Sequence, residues 1–137
     1  MGLPGSGKTW FAQRLSSYLD AAWFNADAVR KMANDWDFSE VGRRRQASRM
    51  FHYATFEATR GRVAICDFIC PTHQTRKTFG ADIIIWLNTV DKSRYEDTNR
   101  IFEPVTAKEG PKIEIKERLL DHQIKDIAEM IKRDYKL

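Results

Sequence analysis

The sequence predicts an α/β fold, a three-layer α/β/α sandwich on a mostly parallel sheet. Three observations carry that reading. Short apolar runs alternate along the chain with segments whose apolar residues recur at helical spacing. Those runs are apolar throughout rather than every second residue, as expected of parallel strands covered on both faces. A glycine-rich string over residues 2–9 then opens directly into the first helical segment. The 137 residues are read as a single domain over 1–137, long enough to bury a core, with right-handed crossovers throughout.

The string Gly2-Leu3-Pro4-Gly5-Ser6-Gly7-Lys8-Thr9 fits G-x-x-x-x-G-K-[ST] at every fixed position. Glycines let the backbone wrap an anion, because they tolerate positive φ and bring no Cβ. The amides then converge on phosphate oxygens at the positive end of the following helix. Lys8 adds a point charge between the β- and γ-phosphates, and the Thr9 hydroxyl suits Mg²⁺. Such a loop joins a buried strand to its helix, and here only Met1 precedes it. The first strand is therefore expected to be missing or truncated. An upstream apolar segment is the favoured explanation, with another segment in its slot or a poorly formed loop as alternatives.

Residues 10–18 read as a helix, with Phe11, Leu15 and Leu19 on one face and Asp20 and Ala21 ending it. Ala22-Trp23-Phe24-Asn25 suits a short strand. Asp27 follows as a helix N-cap, at the strand edge where open α/β sheets bind ligands. Residues 34–39 form a polar loop carrying Trp36 and Phe38. A long helix covers 42–59, with Ala47, Met50, Phe51, Ala54 and Ala58 as its apolar stripe, Arg43, Gln46 and Arg49 along one flank, and Gly61 as its stop. Residues 62–69 are the clearest strand, and Asp67 near its end matches a Walker-B carboxylate. Cys70-Pro71-Thr72 breaks it, 73–79 forms a short helix, and 82–88 is a β-branched strand. Residues 93–111 are polar and irregular, too long for a passive loop, and read as a lid. A short strand at 112–115 and an amphipathic helix at 116–135 close the chain, with Leu119, Leu120, Ile124, Ile127 and Ile131 inward.

Composition narrows the function classes. A 42% hydrophobic and 31% charged chain is ordinary for a soluble domain, and no run approaches the roughly 18 apolar residues of a membrane span. No signal-peptide pattern opens it. Cys66 and Cys70 are too few for a disulfide framework, form an incomplete zinc site, and suit a reduced, cytoplasmic setting as buried strand-end packing. His52, His73 and His122 lack metal-ligand spacing. A net charge of +4 favours a small anionic partner such as a nucleotide; its spread along the chain disfavours nucleic acid.

Phosphoryl transfer asks little covalent chemistry of a protein. It needs positioning, Mg²⁺ and positive charge around the moving group. Asp27 and Asp67 at strand ends, with Arg30, Arg43, Arg49 and Arg76 nearby, supply such a set. One carboxylate supports the metal and the other orients or deprotonates an acceptor hydroxyl. Blander roles stay open: Asp27 as a cap only, Asp67 pairing an arginine, Arg43-Arg44-Arg45 as a solvated face with Arg43 alone reaching ligand, and Phe38 and Phe68 as core.

Over residues 2–104 the chain resembles the adenylylsulfate kinases, of the P-loop NTPase superfamily. Their G-L-x-G-S-G-K-[ST] is Gly2 to Thr9, and their D-G-D-N-x-R resembles Asn25-Ala26-Asp27-Ala28-Val29-Arg30. Their G-F-S and D-R-x-x-N-x-x-R resemble Asp37-Phe38-Ser39 and the segment from Gly42 to Arg49, and their F-I-S-P-x-x-x-x-R resembles Phe68-Ile69-Cys70-Pro71 with Arg76. The resemblance implies a P-loop kinase fold and ATP-dependent phosphorylation of the 3′-hydroxyl of adenosine 5′-phosphosulfate. It implies ATP held by Gly2, Pro4, Gly5, Ser6, Gly7, Lys8, Thr9, Trp10 and Arg94, with Mg²⁺ at Thr9 and Asp67. Lys8 and Asp27 would be catalytic. The acceptor would meet Asp27, Arg30, Phe38, Arg43, Gln46, Arg49, Phe68, Ile69, Cys70 and Arg76, with Phe38 and Phe68 sandwiching its adenine, and residues 93–111 closing over ATP. A homodimer is compatible with this reading.

Asn25, Ala26, Cys70, Asp67 and the short lid depart from the family pattern. Two rivals follow: a polynucleotide 5′-kinase or nucleoside/nucleotide kinase on the same fold, and a nucleotide-binding module with little turnover.

Overall fold

The computed structural model describes residues 1–137. Helix α1 (Lys8–Leu19) follows the glycine loop and stops where Asp20 turns left-handed at φ 51°. Strand β1 (Ala22–Asn25) leads into α2 (Ala26–Ala33). Asn25, not Asp27, caps α2: its backbone is extended and its side chain accepts from Ala28 N–H. Asp27 is already inside the first turn, where its charge suits the helix dipole but its carboxylate is left for other work. Helix α3 (Glu40–Ala58) begins two residues before the expected start, because Ser39 caps it by accepting from Gly42 N–H. Strand β2 (Ala64–Asp67), α4 (His73–Phe79) with a Thr72/Thr75 capping box, and β3 (Ile84–Leu87) follow.

The expected irregular lid is partly ordered. Glu96–Ile101 forms α5 and Ala107–Glu109 a 3₁₀ turn. Strand β4 (Lys112–Ile115) lies where its sequence places it. Helix α6 (Asp121–Asp134) starts later than expected, with Leu120 as its N-cap residue, 63% exposed rather than inward.

All strand pairing is parallel, but it falls into two two-stranded sheets, β1–β2 and β3–β4. Ala22 pairs with Ala64 and Asn25 with Asp67; Ile84 pairs with Lys112 and Leu87 with Ile115. The sheet is thus divided, and Met1 alone bonds to the free side of β3, through Ile85 O and Leu87 N–H. Helices cover both faces, as expected for the sandwich. One core joins Phe11, Leu15 and Leu19 of α1 to Ile124, Ala128 and Ile131 of α6 against Leu87 and Ile115. A second, on the opposite face, joins Val29, Ala47, Met50, Phe68 and Cys70. Strand alternation makes the division: Trp86 and Ile84 pack with Val105, while Leu87 goes to the α1–α6 side. The α3 stripe is only half used. Ala47 and Met50 are buried, but Phe51 and Ala58 are exposed.

No helix is long and apolar enough to cross a membrane.

Candidate active site

A cleft of about 1200 Å³ opens at the carboxyl ends of β1 and β2. Its floor is the loop before α1. Gly7 sits at φ 96°, a left-handed conformation that favours glycine, and no side chain caps the helix. The first-turn N–H groups of α1 therefore lack intrahelical partners where they meet the cleft, and a helix N-terminus so placed binds anions. Pro4, Gly5, Gly7, Lys8, Thr9 and Trp10 line it as expected. Gly2 and Ser6 do not. Both are buried behind the loop, where a Cβ on Gly2 would lie 2.6 Å from Leu87 O, so they shape the cradle rather than touch its contents.

Lys8 Nζ donates to Leu3 O at 3.0 Å. Burial lowers its pKa, while the nearby Asp67 and Asp27 carboxylates oppose that shift. Asp67 is 5% exposed, and its Oδ2 accepts from Asn25 Nδ2 at 2.9 Å and Thr9 Oγ1 at 3.3 Å. The register explains the cluster: Asn25 and Asp67 are paired residues at the ends of adjacent parallel strands. No group of three His, Cys, Asp or Glu side chains forms a metal cage. The hydroxyl–carboxylate pair of Thr9 and Asp67 nevertheless fits Mg²⁺, a hard cation that keeps waters and takes phosphate oxygens as ligands. Asp27 is exposed on the cleft wall.

Six cationic side chains (Lys8, Arg30, Arg43, Lys92, Arg94 and Arg118) line the cleft against three acids (Asp27, Asp67 and Asp97). The excess of positive charge suits a polyanion. Arg30 is buried, donates to Asp35 O at 2.9 Å and Asp37 O at 3.1 Å, and lies 4.3 Å from the Phe38 ring centroid. Arg43 donates to Phe38 O at 2.9 Å and Thr98 Oγ1 at 3.3 Å, tying the 34–39 loop to α5. Gln46, Ile69 and Cys70 line the cleft, and Gln46 holds Ala26 O at 3.1 Å. Phe38, 48% exposed, and Phe68, mostly core against Phe79, both reach it.

Two expected acceptor residues lie elsewhere. Arg49 is outside the cleft lining; it donates to Asp35 Oδ2 at 2.8 Å and Gln46 Oε1 at 2.6 Å. Arg76, with a side chain 2% exposed, donates to Glu109 Oε1 at 2.6 Å, Cys70 O at 2.9 Å and Glu103 O at 2.7 Å. It anchors the 103–109 segment to α4. Both guanidiniums are consumed by carboxylates remote in sequence.

Sequence reasoning missed Trp36 as a lining residue, and with it Lys92, Tyr95 and Arg118. Arg118 Nη2 donates to Gly5 O at 3.1 Å. Lys92 and Arg118 follow the carboxyl ends of β3 and β4, the edge where parallel sheets collect ligands, and that position was the available signal.

Burial pushes the Cys66 thiol up to about 12 and Cys70 up to about 11. At pH 8 both stay protonated and poorly nucleophilic. Native protein is expected to resist a thiol-reactive maleimide that labels both cysteines once denatured; mass spectrometry of the adducts checks this.

A family model described as adenylylsulphate kinase matches residues 1–88. None of the curated proteins matches the chain. Among solved structures, the Mycobacterium tuberculosis APS kinase CysC, determined with AMPPNP and APS, superposes with TM-score 0.67 at 20% identity over 96% of this chain and 94% of that one. An unliganded sugar kinase from Janibacter superposes with TM-score 0.74 at 15% identity over 95% of this chain and 90% of that one. Those likenesses establish the fold, and the family match spans well over half of the sequence with the glycine loop, Asp27 and Asp67 inside it: the chain belongs to the adenylylsulphate kinase family, and its class is that of a kinase phosphotransferase.

Proposed function

We propose that this chain transfers the γ-phosphoryl group of ATP to the 3′-hydroxyl of adenosine 5′-phosphosulfate. The carrying observation is the pairing, in one cleft, of an uncapped helix N-terminus beside Lys8 with an exposed carboxylate, Asp27, on the adjoining wall. The loop amides, Lys8 and Arg118 hold the triphosphate. Thr9 and Asp67 would hold Mg²⁺, which supplies charge neutralisation at the β- and γ-oxygens when bound. Asp27 accepts the proton of the acceptor hydroxyl as that oxygen forms its bond to the γ-phosphorus. The bond from phosphorus to the β,γ-bridging oxygen breaks, and ADP leaves with that electron pair. Arg30 and Arg43 face the acceptor's anionic groups, and Phe38 with Phe68 offers aromatic surface for its base.

Residues 93–111 act as a cover carried on α5, with Arg94 and Tyr95 on the cleft side. The whole of 1–137 works as one domain. Two free cysteines support a cytoplasmic setting.

ADP release measured with and without adenosine 5′-phosphosulfate tests the acceptor; release that depends instead on an oligonucleotide 5′ end would overturn it. Asp27→Asn is expected to lower kcat by roughly 10²-fold with little change in KM for ATP, the effect of losing a general base. An unchanged kcat would remove Asp27 from that role.

A further inference from the structure

One aromatic side chain in the cleft has no partner. Five aromatics line it: Trp10, Trp36, Phe38, Phe68 and Tyr95. Four are already engaged. Arg14 lies over the Trp10 ring at 3.9 Å, Arg30 over Phe38 at 4.3 Å and Arg94 over Tyr95 at 5.1 Å. Phe68 is 9% exposed and meets Phe79 edge-on, with ring centroids 5.3 Å apart. No ring or cation stacks on Trp36. At 51% it is also the most exposed of the four tryptophans.

A single exposed ring on a slack loop carries little information. This loop is not slack. Arg30 Nη1 donates to Asp35 O at 2.9 Å and to Asp37 O at 3.1 Å, the carbonyls on either side of Trp36. Asp37 N–H donates to Asp35 Oδ1 at 3.2 Å, closing a turn over the tryptophan. The Asp35 carboxylate is gripped in turn by Arg45 Nε at 2.7 Å, Arg45 Nη2 at 2.9 Å and Arg49 Nη2 at 2.8 Å. Guanidiniums from α2 and α3 thus fix residues 35–37, and Arg49, outside the cleft lining, braces the loop from behind. A ring held in place before its ligand arrives lowers the ordering cost of binding.

A bare indole face takes a flat π-system, and such stacking accepts any nucleobase. Trp36 comes from the loop between α2 and α3, whereas the triphosphate cradle comes from the loop before α1. Asp27, the carboxylate aimed at the acceptor hydroxyl, also belongs to α2. We propose that Trp36 is the stacking platform for the acceptor's planar ring, so that the cleft selects a ring-bearing nucleotide over a bare sugar phosphate. The inference rests on the proposed function for what the cleft phosphorylates; its test reads ligand binding, with turnover scored separately.

The 137-residue chain, Trp36→Leu and Trp36→Phe are compared with ADP and Mg²⁺ saturating, so that the donor cradle is filled. The probes are adenosine 5′-phosphosulfate, AMP and ribose 5-phosphate. Both ringed probes are expected to quench the tryptophan emission of the parent, and ribose 5-phosphate to leave it unchanged. In calorimetry the ringed probes should bind Trp36→Leu more weakly by roughly 10-fold or more, with Trp36→Phe recovering part of the loss. ADP affinity, measured first, should match the parent in both variants. Equal affinity of the ringed probes for the parent and Trp36→Leu would overturn the proposal, as would parent emission that they leave unmoved. Ribose 5-phosphate binding as tightly as AMP would overturn it too. A loss of ADP affinity in Trp36→Leu would place the indole at the donor end, against the proposal. Stacking of both ringed probes without any ADP release from ATP on adding adenosine 5′-phosphosulfate would support this inference while removing the proposed acceptor. ADP release that depends on adenosine 5′-phosphosulfate, with its KM unaltered in Trp36→Leu, would do the reverse.

Discussion

Replacing Lys8 by alanine is expected to lower kcat/KM by about 10³-fold, the scale of removing a preorganised charge from a transition state. Lys8 is the only cationic side chain within the glycine string of residues 2–9. Its Nζ is held against the loop by Leu3 O at 3.0 Å, so the charge is positioned before any ligand arrives. Such a group contributes most where charge is moving, and least to ground-state binding. The loss should therefore fall mainly on kcat in steady-state ADP release, with Tm within a few degrees of the parent. A variant with full kcat and a raised KM would make Lys8 a binding residue only.

Arg76→Ala is expected to cost about 3 kcal/mol of stability, because it removes the guanidinium that pairs with Glu109 in a poorly solvated position and leaves His73 and Thr106 N–H as its remaining partners. Arg76 is 2% exposed at the side chain and binds Glu109 at 2.6 Å, and its remaining donors hold Cys70 O and Glu103 O. Thermal unfolding should show a Tm lower by about 10 °C. The acid limb of stability carries the same information. Burial works to raise the Glu109 pKa, but the Arg76 hydrogen bond and the Thr106 N–H outweigh it and hold the carboxyl at about 2, below its ordinary 4.5. A depressed carboxyl contributes stability that is full above about 4.5 and lost as pH falls through about 2. Parent protein should show that loss in urea midpoints over this window; Arg76→Ala should show a smaller one, because Thr106 N–H and His73 still meet the carboxylate.

The glycine loop was legible because its spacing is fixed by the phosphate it fits, and Asp67 because a strand ending in a carboxylate at that edge has few uses. Strand β4 was legible to the residue. Asn25 shows the limit. It and Asp27 are both acceptable caps, and only the backbone turn at residue 25 decides between them. Arg49 and Arg76 show it more sharply. Each sits in a family motif, yet each is claimed by an acid on another element, Asp35 and Glu109, whose proximity is a product of folding. Trp36 was visible as an aromatic in a polar loop but not as a wall of the cleft. Phe51 read as core because helical spacing is blind to what lies opposite, and Phe51 lines an apolar cavity of about 430 Å³ shared with β2 and β3. The ordered α5 inside the lid was hidden by its polarity, since a helix that buries only Thr98 leaves no apolar stripe.

The Arg43 guanidinium has one set of donors and several claimants. Phe38 O holds it from the 34–39 loop, Thr98 Oγ1 holds it from α5, and Asp97 lies 3.7 Å away. An incoming anion that recruits those donors competes with these partners, so its observed affinity is the gross attraction less the contacts surrendered. Each surrendered contact also unfastens a wall of the cleft. A ligand that takes these donors therefore releases contacts to both the 34–39 loop and α5 at one side chain.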